Sequence, residues 1–380
     1  MRRLFLNIIS AALFYSCTQP IILKNMSVEE EGYFIFGKNN SRNNFENVSI
    51  TEYLQPLWIS ETNGSQANNS VLIYGKYLFA ADLSGRIYVF DRNEGKQLGY
   101  EKFPGAISAN PVIYKLKLFF VVNEREEKYS TFIHFDFING KILSEDMISG
   151  SVGNELLLLD DGIVVLTDLG EIIKYNLVGT RLWSTKTKTT TQSSPVSDGK
   201  VIVFGNQKGE VVIVDCSDGV IKYKEKIADS IESGISLDGS TIYFGDKLGK
   251  LYSFDIDKKK VNWKYNTGSN IKSMPVFDTN NVIVGNLGGA IFSIDKSSGK
   301  KNWMVTTHGV INTAPLLTNS YLYQPDLNKK VHVINKSIGE IIKTYDFERR
   351  LKLMPVYFDG IIYFGSDKGE IHAFQTFKMN

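Results

Sequence analysis

The sequence is poor in the residues that build disulfide scaffolds and metal centres. It contains two cysteines, Cys17 and Cys216, and four histidines among 380 residues. Two cysteines cannot form a disulfide framework or a cysteine-rich zinc site. We therefore expect neither a disulfide-stabilised fold nor a bound metal.

An excess of one sign of charge is also missing. Lysine and arginine total 43 against 41 aspartates and glutamates, which gives a net charge of +2. Nucleic-acid-binding proteins present a dense positive surface, and this chain has no basic block that would supply one. We expect no nucleic-acid partner. The hydrophobic content of 43% is that of a globular chain with a core.

No apolar run in the sequence is long enough to cross a bilayer as a helix. The longest one lies within residues 1–16, where Arg2 and Arg3 precede about a dozen mostly apolar residues, a pattern typical of an export signal. We interpret residues 1–16 as a signal peptide.

The end of this signal resembles the lipobox of bacterial lipoproteins, because Ser16 stands directly before Cys17. The resemblance implies cleavage before Cys17 and acylation of both its thiol and its new amino group, and two or more acyl chains give stable anchoring. Thr18 follows where an aspartate would favour the inner membrane, so we expect an outer-membrane lipoprotein. The alternative is an ordinary secretory signal followed by a chance cysteine.

Residues 17–56 are expected to form a lipidated N-terminus and a polar tether. The stretch from Gly37 to Asn44 is rich in asparagine and turn-forming residues and contains too little apolar matter to order itself. Such a segment would hold the domain over residues 57–380 away from the lipid surface.

The body of the chain repeats with a period of forty residues. Gly205, Gly245, Gly285 and Gly365 each follow a short apolar run, and a second glycine comes four residues later. Short apolar runs flanked by glycine and aspartate predict strands joined by tight hairpins, because glycine supplies the positive φ of the turn. Four short strands per forty residues are typical of a propeller blade.

Counting the second hairpin position predicts eight units, located at or near Gly85, Tyr129, Gly170, Gly209, Gly249, Gly289, Lys330 and Gly369. The last unit ends after its third strand, and residues 57–59 are predicted to supply the missing outer strand, which removes open edges. The prediction is an all-β, eight-bladed propeller of four-stranded antiparallel blades. The alternative is a seven-bladed ring with one unit miscounted.

The repeat resembles the PQQ-type repeat, in which glycine, alternating apolar residues and aspartate are followed by Thr/Ser-Gly-Lys and a tryptophan. The best match runs from Gly289 through Asp295 and Lys300 to Trp303. In that family the tryptophan docks onto the neighbouring blade as an aromatic wedge. The resemblance therefore implies inter-blade docking by four tryptophans: Trp58, Trp183, Trp263 and Trp303.

An enzymatic role is not expected. Quinone-dependent dehydrogenases of this fold carry an adjacent cysteine pair and a catalytic aspartate at a calcium or lanthanide site, and this sequence has no adjacent cysteines. His332 and His372 lie one period apart, at a position also held by Tyr252 and Phe292, which indicates a packing slot and not a pair of metal ligands. We expect no catalytic residues and no cofactor.

A lipid-anchored propeller of eight PQQ-type repeats resembles the BamB family of bacterial lipoproteins. The resemblance implies a monomeric, non-catalytic scaffold, on the periplasmic face of the outer membrane, that docks on the β-barrel assembly machinery. Two alternatives stay open: an envelope or surface lipoprotein that binds a glycan, a peptide or another protein, and a quinone-dependent oxidoreductase.

One loop of the second unit is the best single candidate for a partner contact. It consists of Glu124, Arg125, Glu126, Glu127 and Lys128. The alternative is a solvated hairpin insertion without a partner.

Overall fold

The structure is a computed structural model that describes residues 21, 23, 26–28, 30–67, 69–124 and 128–379. The signal peptide over residues 1–16, the acylation site Cys17 and the loop residues 125–127 lie outside the described residues. Among the residues described, no helix has the length and apolarity needed to span a bilayer.

The described residues fold into β-strands. Two strands come first, β1 (Gly32–Tyr33) and β2 (Gln55–Glu61). Blades 1 to 4 follow as β3 (Leu72–Tyr74), β4 (Tyr77–Ala81), β5 (Arg86–Asp91), β6 (Gln97–Lys102), β7 (Val112–Tyr114), β8 (Lys117–Asn123), β9 (Tyr129–Asp136), β10 (Lys141–Ser149), β11 (Leu157–Leu159), β12 (Gly162–Leu166), β13 (Glu171–Asn176), β14 (Arg181–Lys186), β15 (Val196–Ser197), β16 (Val201–Gly205), β17 (Glu210–Asp215) and β18 (Ile221–Lys226).

Blades 5 to 8 repeat the same pattern. Their strands are β19 (Ser236–Asp238), β20 (Thr241–Gly245), β21 (Lys250–Asp255), β22 (Lys260–Asn266), β23 (Val276–Phe277), β24 (Asn281–Gly285), β25 (Ala290–Asp295), β26 (Lys301–Thr306), β27 (Leu316–Leu317), β28 (Tyr321–Pro325), β29 (Lys330–Asn335), β30 (Ile341–Asp346), β31 (Val356–Phe358), β32 (Ile361–Gly365) and β33 (Glu370–Gln375).

The strands form eight antiparallel sheets, one per blade, so the eight-bladed prediction is confirmed and the seven-bladed alternative is wrong. In blades 2 to 7 four consecutive strands pair in sequence order from the central channel to the rim. Blade 8 takes its outer strand from the N-terminal side, because β2 pairs with β33. Blade 1 gains a fifth strand on the channel side, where β1 pairs with β3.

The apolar pattern of each blade follows from its place between two neighbours. In blade 4 the middle strands β16 and β17 are almost entirely buried, whereas the outer strand β18 is half-exposed. Neighbouring blades diverge toward the rim, so the outer strands lose the cover that buries the middle ones. The turn between the middle strands needs glycine, since Gly209 has a φ of 78° and its missing β-carbon would strike the carbonyl of Ala228.

Residues 32–49, which we call the channel plug, cross one end of the central channel and bond to every blade. Blade 1 is joined through the pairing of β1 with β3. The other hydrogen bonds join Phe34 to Ile113 in blade 2, Asn40 to Leu158 in blade 3 and Ser197 in blade 4, Ser41 to Leu237 in blade 5, Asn43 to Phe277 in blade 6, and Asn44 to Leu317 in blade 7 and Pro355 in blade 8.

The structure differs here from the sequence expectation of a free polar tether. The innermost strand of each blade is an edge, so its unpaired backbone N–H and C=O groups face the channel. An asparagine side chain has both a donor and an acceptor and can pair with such a backbone group. Asn40 bonds in this way to both backbone groups of Leu158, and Asn43 does the same with Phe277. The polar stretch is ordered by these bonds and not by an apolar core of its own.

Candidate functional site

The two ends of the central channel differ. The plug closes the end formed by the turns between the first and second strands of the blades. The other end, which we call the channel mouth, opens into a cavity of about 240 Å³ with Phe36 of the plug at its base. The connections that enter blades 3 to 7 line it, through Gly153, Glu155, Gln192, Ser194, Glu232, Gly234, Lys272, Met274, Asn312, Thr313 and Ala314.

Arg42 lies at the centre of the plug, beneath this cavity, and is completely buried. Its guanidinium donates four hydrogen bonds to backbone carbonyls: to Pro195 at 2.6 Å, to Phe36 at 3.0 Å, and to Glu155 and Leu156 at 2.9 Å each. Burial lowers the pKa of Arg42 to about 10, so the group stays cationic at neutral pH. A buried charge persists only when hydrogen bonds compensate its lost hydration, and these four do so.

Glu155 connects the plug to the channel mouth. Its carbonyl accepts a bond from Arg42, and its Oε2 accepts a hydrogen bond of 2.7 Å from the backbone N–H of Asn110 in blade 2. Burial raises the pKa of the Glu155 carboxyl to about 7, although the charge of Arg42 and the Asn110 bond both favour ionisation. The carboxyl therefore changes protonation near neutral pH.

The channel mouth has the chemistry of a binding site for a group that donates hydrogen bonds. Glu155 can accept a proton or a hydrogen bond there, and Lys272 and Glu232 form an ion pair of 3.4 Å on the same wall. Phe36 and Met274 add apolar surface. Over the described part of the chain, no group of three or more His, Cys, Asp or Glu side chains is placed to hold a metal ion.

Sequence reasoning missed both Arg42 and Glu155. Glu155 stands two residues before the first strand of blade 3, where the equivalent positions of other blades carry Asn110, Ser194, Met274 and Ala314. A carboxylate at a position that these other blades fill with uncharged residues was a signal in the repeat. Arg42 offered none, because the segment around it does not repeat.

The four tryptophans assigned to inter-blade docking lie on the outer strands and reach the next blade. Trp303, for example, fills the space that a β-carbon on Gly339 would occupy. Each indole N–H donates to a backbone carbonyl of the following blade: Trp58 to Arg92 at 3.1 Å, Trp183 to Cys216 at 3.3 Å, Trp263 to Lys296 at 2.8 Å and Trp303 to Lys336 at 2.8 Å.

The charged loop of blade 2 borders a surface groove. Glu124 is exposed at the start of the loop, and Lys128 lies at its other end. The groove has a volume of about 650 Å³. It runs along the joint of blades 1 and 2 and is lined by Leu83, Ser84, Lys102, Pro104, Gly105, Ala106 and Glu124.

His332 and His372, one repeat period apart, each contact an acidic residue of their own blade. Nε2 of His332 lies 3.0 Å from Oδ2 of Asp326, in the turn between the middle strands of blade 7. At the same repeat position of blade 5, the Tyr252 hydroxyl donates to Asp246 at 3.0 Å. His372 likewise lies 3.2 Å from Glu370, and burial lowers the pKa of His372.

Comparison with protein families finds one matching model. It is described as the outer membrane protein assembly factor BamB, and it matches residues 83–303 and 224–342, which together span 83–342. No curated protein matches the chain in sequence.

Solved structures similar to this one share the propeller at low sequence identity. BamB from Moraxella catarrhalis superposes with a TM-score of 0.72 at 16% identity, covering 85% of this chain and 100% of that chain. The computationally designed Ika8 protein gives 0.71 at 15%, covering 84% and 99%. Quinohemoprotein alcohol dehydrogenase from Comamonas testosteroni gives 0.74 at 11%, covering 90% and 80%. At these identities the likeness shows the fold alone.

Proposed function

The chain belongs to the family of the outer membrane protein assembly factor BamB, and from this we propose that it is a lipid-anchored, non-catalytic scaffold for outer-membrane protein assembly. The family match over residues 83–342, more than half of the chain, carries the proposal. The expected partner is the β-barrel assembly machinery, and the expected place is the periplasmic face of the outer membrane. Cys17 would carry the acyl chains.

The architecture suits a rigid platform. Docking tryptophans join four pairs of neighbouring blades, and the plug bonds to all eight blades. Binding groups on such a ring keep fixed positions, which lowers the entropy lost on association. The groove beside Glu124 combines apolar and charged groups, as protein interfaces do, and we assign the partner contact to it.

A crosslinking capture from intact cells tests this function. We expect the tagged wild-type lipoprotein to recover a β-barrel insertase, and the Glu124→Lys variant to recover several-fold less of it. The matched control is Lys208→Glu, which also reverses one exposed charge, in the equivalent turn of blade 4. Captures that contain no insertase would overturn the proposed function. Equal recovery by both variants would remove only the assignment of the contact to the groove.

The cavity at the channel mouth supports a second candidate function, the binding of a peptide. Its buried carboxyl, Glu155, fits a ligand that carries an amine or a guanidinium, and the volume of about 240 Å³ admits one long side chain. We would expect lysine- or arginine-containing peptides to raise the melting temperature of the wild type and to leave that of Glu155→Gln unchanged. No shift with any such peptide would reject this candidate.

A further inference from the structure

Two described residues ahead of the plug, Ile21 and Leu23, are buried in the fold. Ile21 and Leu23 are 4% and 6% exposed, and both belong to the buried cluster that contains Phe137 from blade 2. The backbone N–H of Ile21 donates to Oε1 of Glu101, on outer strand β6, at 3.3 Å. The register of β6 places Gly99 where other blades have a docking tryptophan. The joint between blades 1 and 2 thus lacks an indole, and the bond from Ile21 to Glu101 places the N-terminal segment on the outer strand beside it.

This packing limits how far the propeller can stand from its anchor. Four peptide units separate Cys17 from Ile21, and a fully extended chain spans at most about 3.6 Å per residue, or about 14 Å in all. If Cys17 carries the acyl chains, as the proposed function holds, the joint of blades 1 and 2 must lie within about that distance of the lipid headgroups.

The surface next to this exit point carries exposed apolar side chains on β10, interspersed with the exposed charges of Lys141 and Glu145. The Glu101 carboxylate that binds Ile21 also lies within 4 Å of the position of a β-carbon on Gly140, the residue directly before β10. Strand β10 is the outer edge of blade 2, and at nine residues it is longer than the other strands described. Three of its apolar side chains are exposed, Ile142 and Leu143 at 48% each and Met147 at 64%.

We propose that the outer strand of blade 2 rests on the lipid bilayer, with Ile142, Leu143 and Met147 entering the boundary between headgroups and acyl chains. Apolar side chains presented on one surface bind this boundary, and the adjacent anchor keeps the strand at high local concentration there. The propeller then stands on its rim beside the membrane, with its channel axis roughly parallel to the bilayer. This inference rests on the acyl anchor of the proposed function and adds an orientation to it.

Spin labels on two opposite blades test the orientation. In an eight-membered ring blade 6 lies opposite blade 2, and Met304 on its outer strand β26 is 49% exposed. Nitroxides would be attached to Leu143→Cys and to the matched control Met304→Cys in the processed lipoprotein. Cys216 is buried and the Cys17 thiol would be acylated, so the introduced thiol takes the label. The protein is reconstituted in phosphatidylethanolamine–phosphatidylglycerol vesicles.

We expect the ratio of oxygen accessibility to aqueous nickel-chelate accessibility to be several-fold higher at position 143 than at 304. Equal ratios, or a higher ratio at 304, would overturn the orientation. Strong spin coupling between labels at 143 of two copies would overturn it as well, because a second copy and not lipid would then cover the strand.

The mass of the mature protein separates this inference from the function on which it rests. If the mass shows that the protein is acylated but the label at position 143 is exposed to water, the orientation is wrong and the proposed function stands. A mass without acyl chains removes the anchor from the proposed function, and the orientation with it. A second variant pair, Leu143→Asp and Met304→Asp, checks the result without labels. Because the acyl chains keep both variants on the vesicles, the readout is amide hydrogen exchange: we expect Leu143→Asp to speed exchange along β10 and Met304→Asp to leave exchange along β26 unchanged.

Discussion

The repeated ring and the polar stretch of the channel plug, residues 37–44, are held by different kinds of interaction. The ring buries aliphatic and aromatic side chains between blades, and the hydrogen bonds within its sheets run from backbone to backbone. The polar stretch sends polar and charged side chains into backbone groups of the ring, mainly from Arg42 and the asparagines, whereas Tyr33 and Ile35 ahead of it are buried in the apolar clusters of the ring. A polar, asparagine-rich segment can therefore be as firmly placed as an apolar strand when the fold offers it unpaired edges.

Removing the central charge of the plug is expected to have the largest effect on stability. We expect Arg42→Ala to lower the free energy of unfolding by about 4 kcal/mol, because four buried carbonyls lose their donors. Arg349→Ala is the control. It breaks a surface pair of 3.4 Å with Glu370 and is expected to cost about 0.5 kcal/mol. Urea denaturation measures both, and equal losses would show that the plug is not an integral part of the fold.

The ring was predictable from the sequence because its information is local and repeated. Each hairpin glycine, such as Gly209 or Gly289, marks the same turn, and each unit reinforces the interpretation of the next. The plug carries no repeat, so only its composition was informative, and composition indicated disorder. Its true partners are main-chain groups such as those of Leu158 and Phe277, which have no signature in the sequence. The channel mouth could not be predicted from the sequence either, because its wall is assembled from five separate connections.

For the ring, the largest expected effect comes from replacing a docking tryptophan. We expect Trp303→Ala to lower the free energy of unfolding by about 3 kcal/mol, because a nearly buried indole leaves a cavity at the joint with blade 7 and frees the carbonyl of Lys336. Trp303→Tyr is the control, since blade 4 carries Tyr223 at the equivalent position. It should lose about 1 kcal/mol or less. A loss after Trp303→Tyr as large as after Trp303→Ala would show that the ring needs the indole itself and not merely an aromatic wedge.

The pH dependence of stability tests where the two regions meet, at Glu155. Its pKa is raised from 4.5 to about 7 in the folded state, so the folded protein holds this proton more tightly than the unfolded chain. The resulting stabilisation is complete below about pH 4.5 and is lost as the pH rises through 7. Between about pH 5 and pH 7 the wild type should therefore lose about 2 kcal/mol relative to Glu155→Gln, which does not titrate. Parallel profiles for the two proteins in denaturation experiments would contradict the raised pKa.

The smallest expected effect isolates a single asparagine of the plug. The Asn43 carboxamide donates to the carbonyl of Phe277 at 2.8 Å and accepts from its N–H at 2.9 Å, so one side chain completes the edge of blade 6. Asn43→Ala should cost about 1.5 kcal/mol, because both backbone groups lose a partner in a half-buried site. Asn302→Ala, on the outer strand of the same blade, removes an exposed bond of 2.7 Å to Asn281 and should cost about 0.3 kcal/mol.

Asn43→Asp tests whether position 43 needs both a donor and an acceptor or only a polar side chain. The carboxylate keeps the bond from the Phe277 N–H but turns its second oxygen toward the Phe277 carbonyl, where two acceptors repel each other. If the plug is held by paired donors and acceptors, Asn43→Asp should be at least as destabilising as Asn43→Ala at pH 7 and should recover toward the wild type as the carboxylate is protonated below about pH 4. If Asn43→Asp instead has the stability of the wild type at pH 7, any polar side chain at position 43 can hold the plug. The plug would then differ from the ring only in being less buried, and not in the specific pairing of its donors and acceptors.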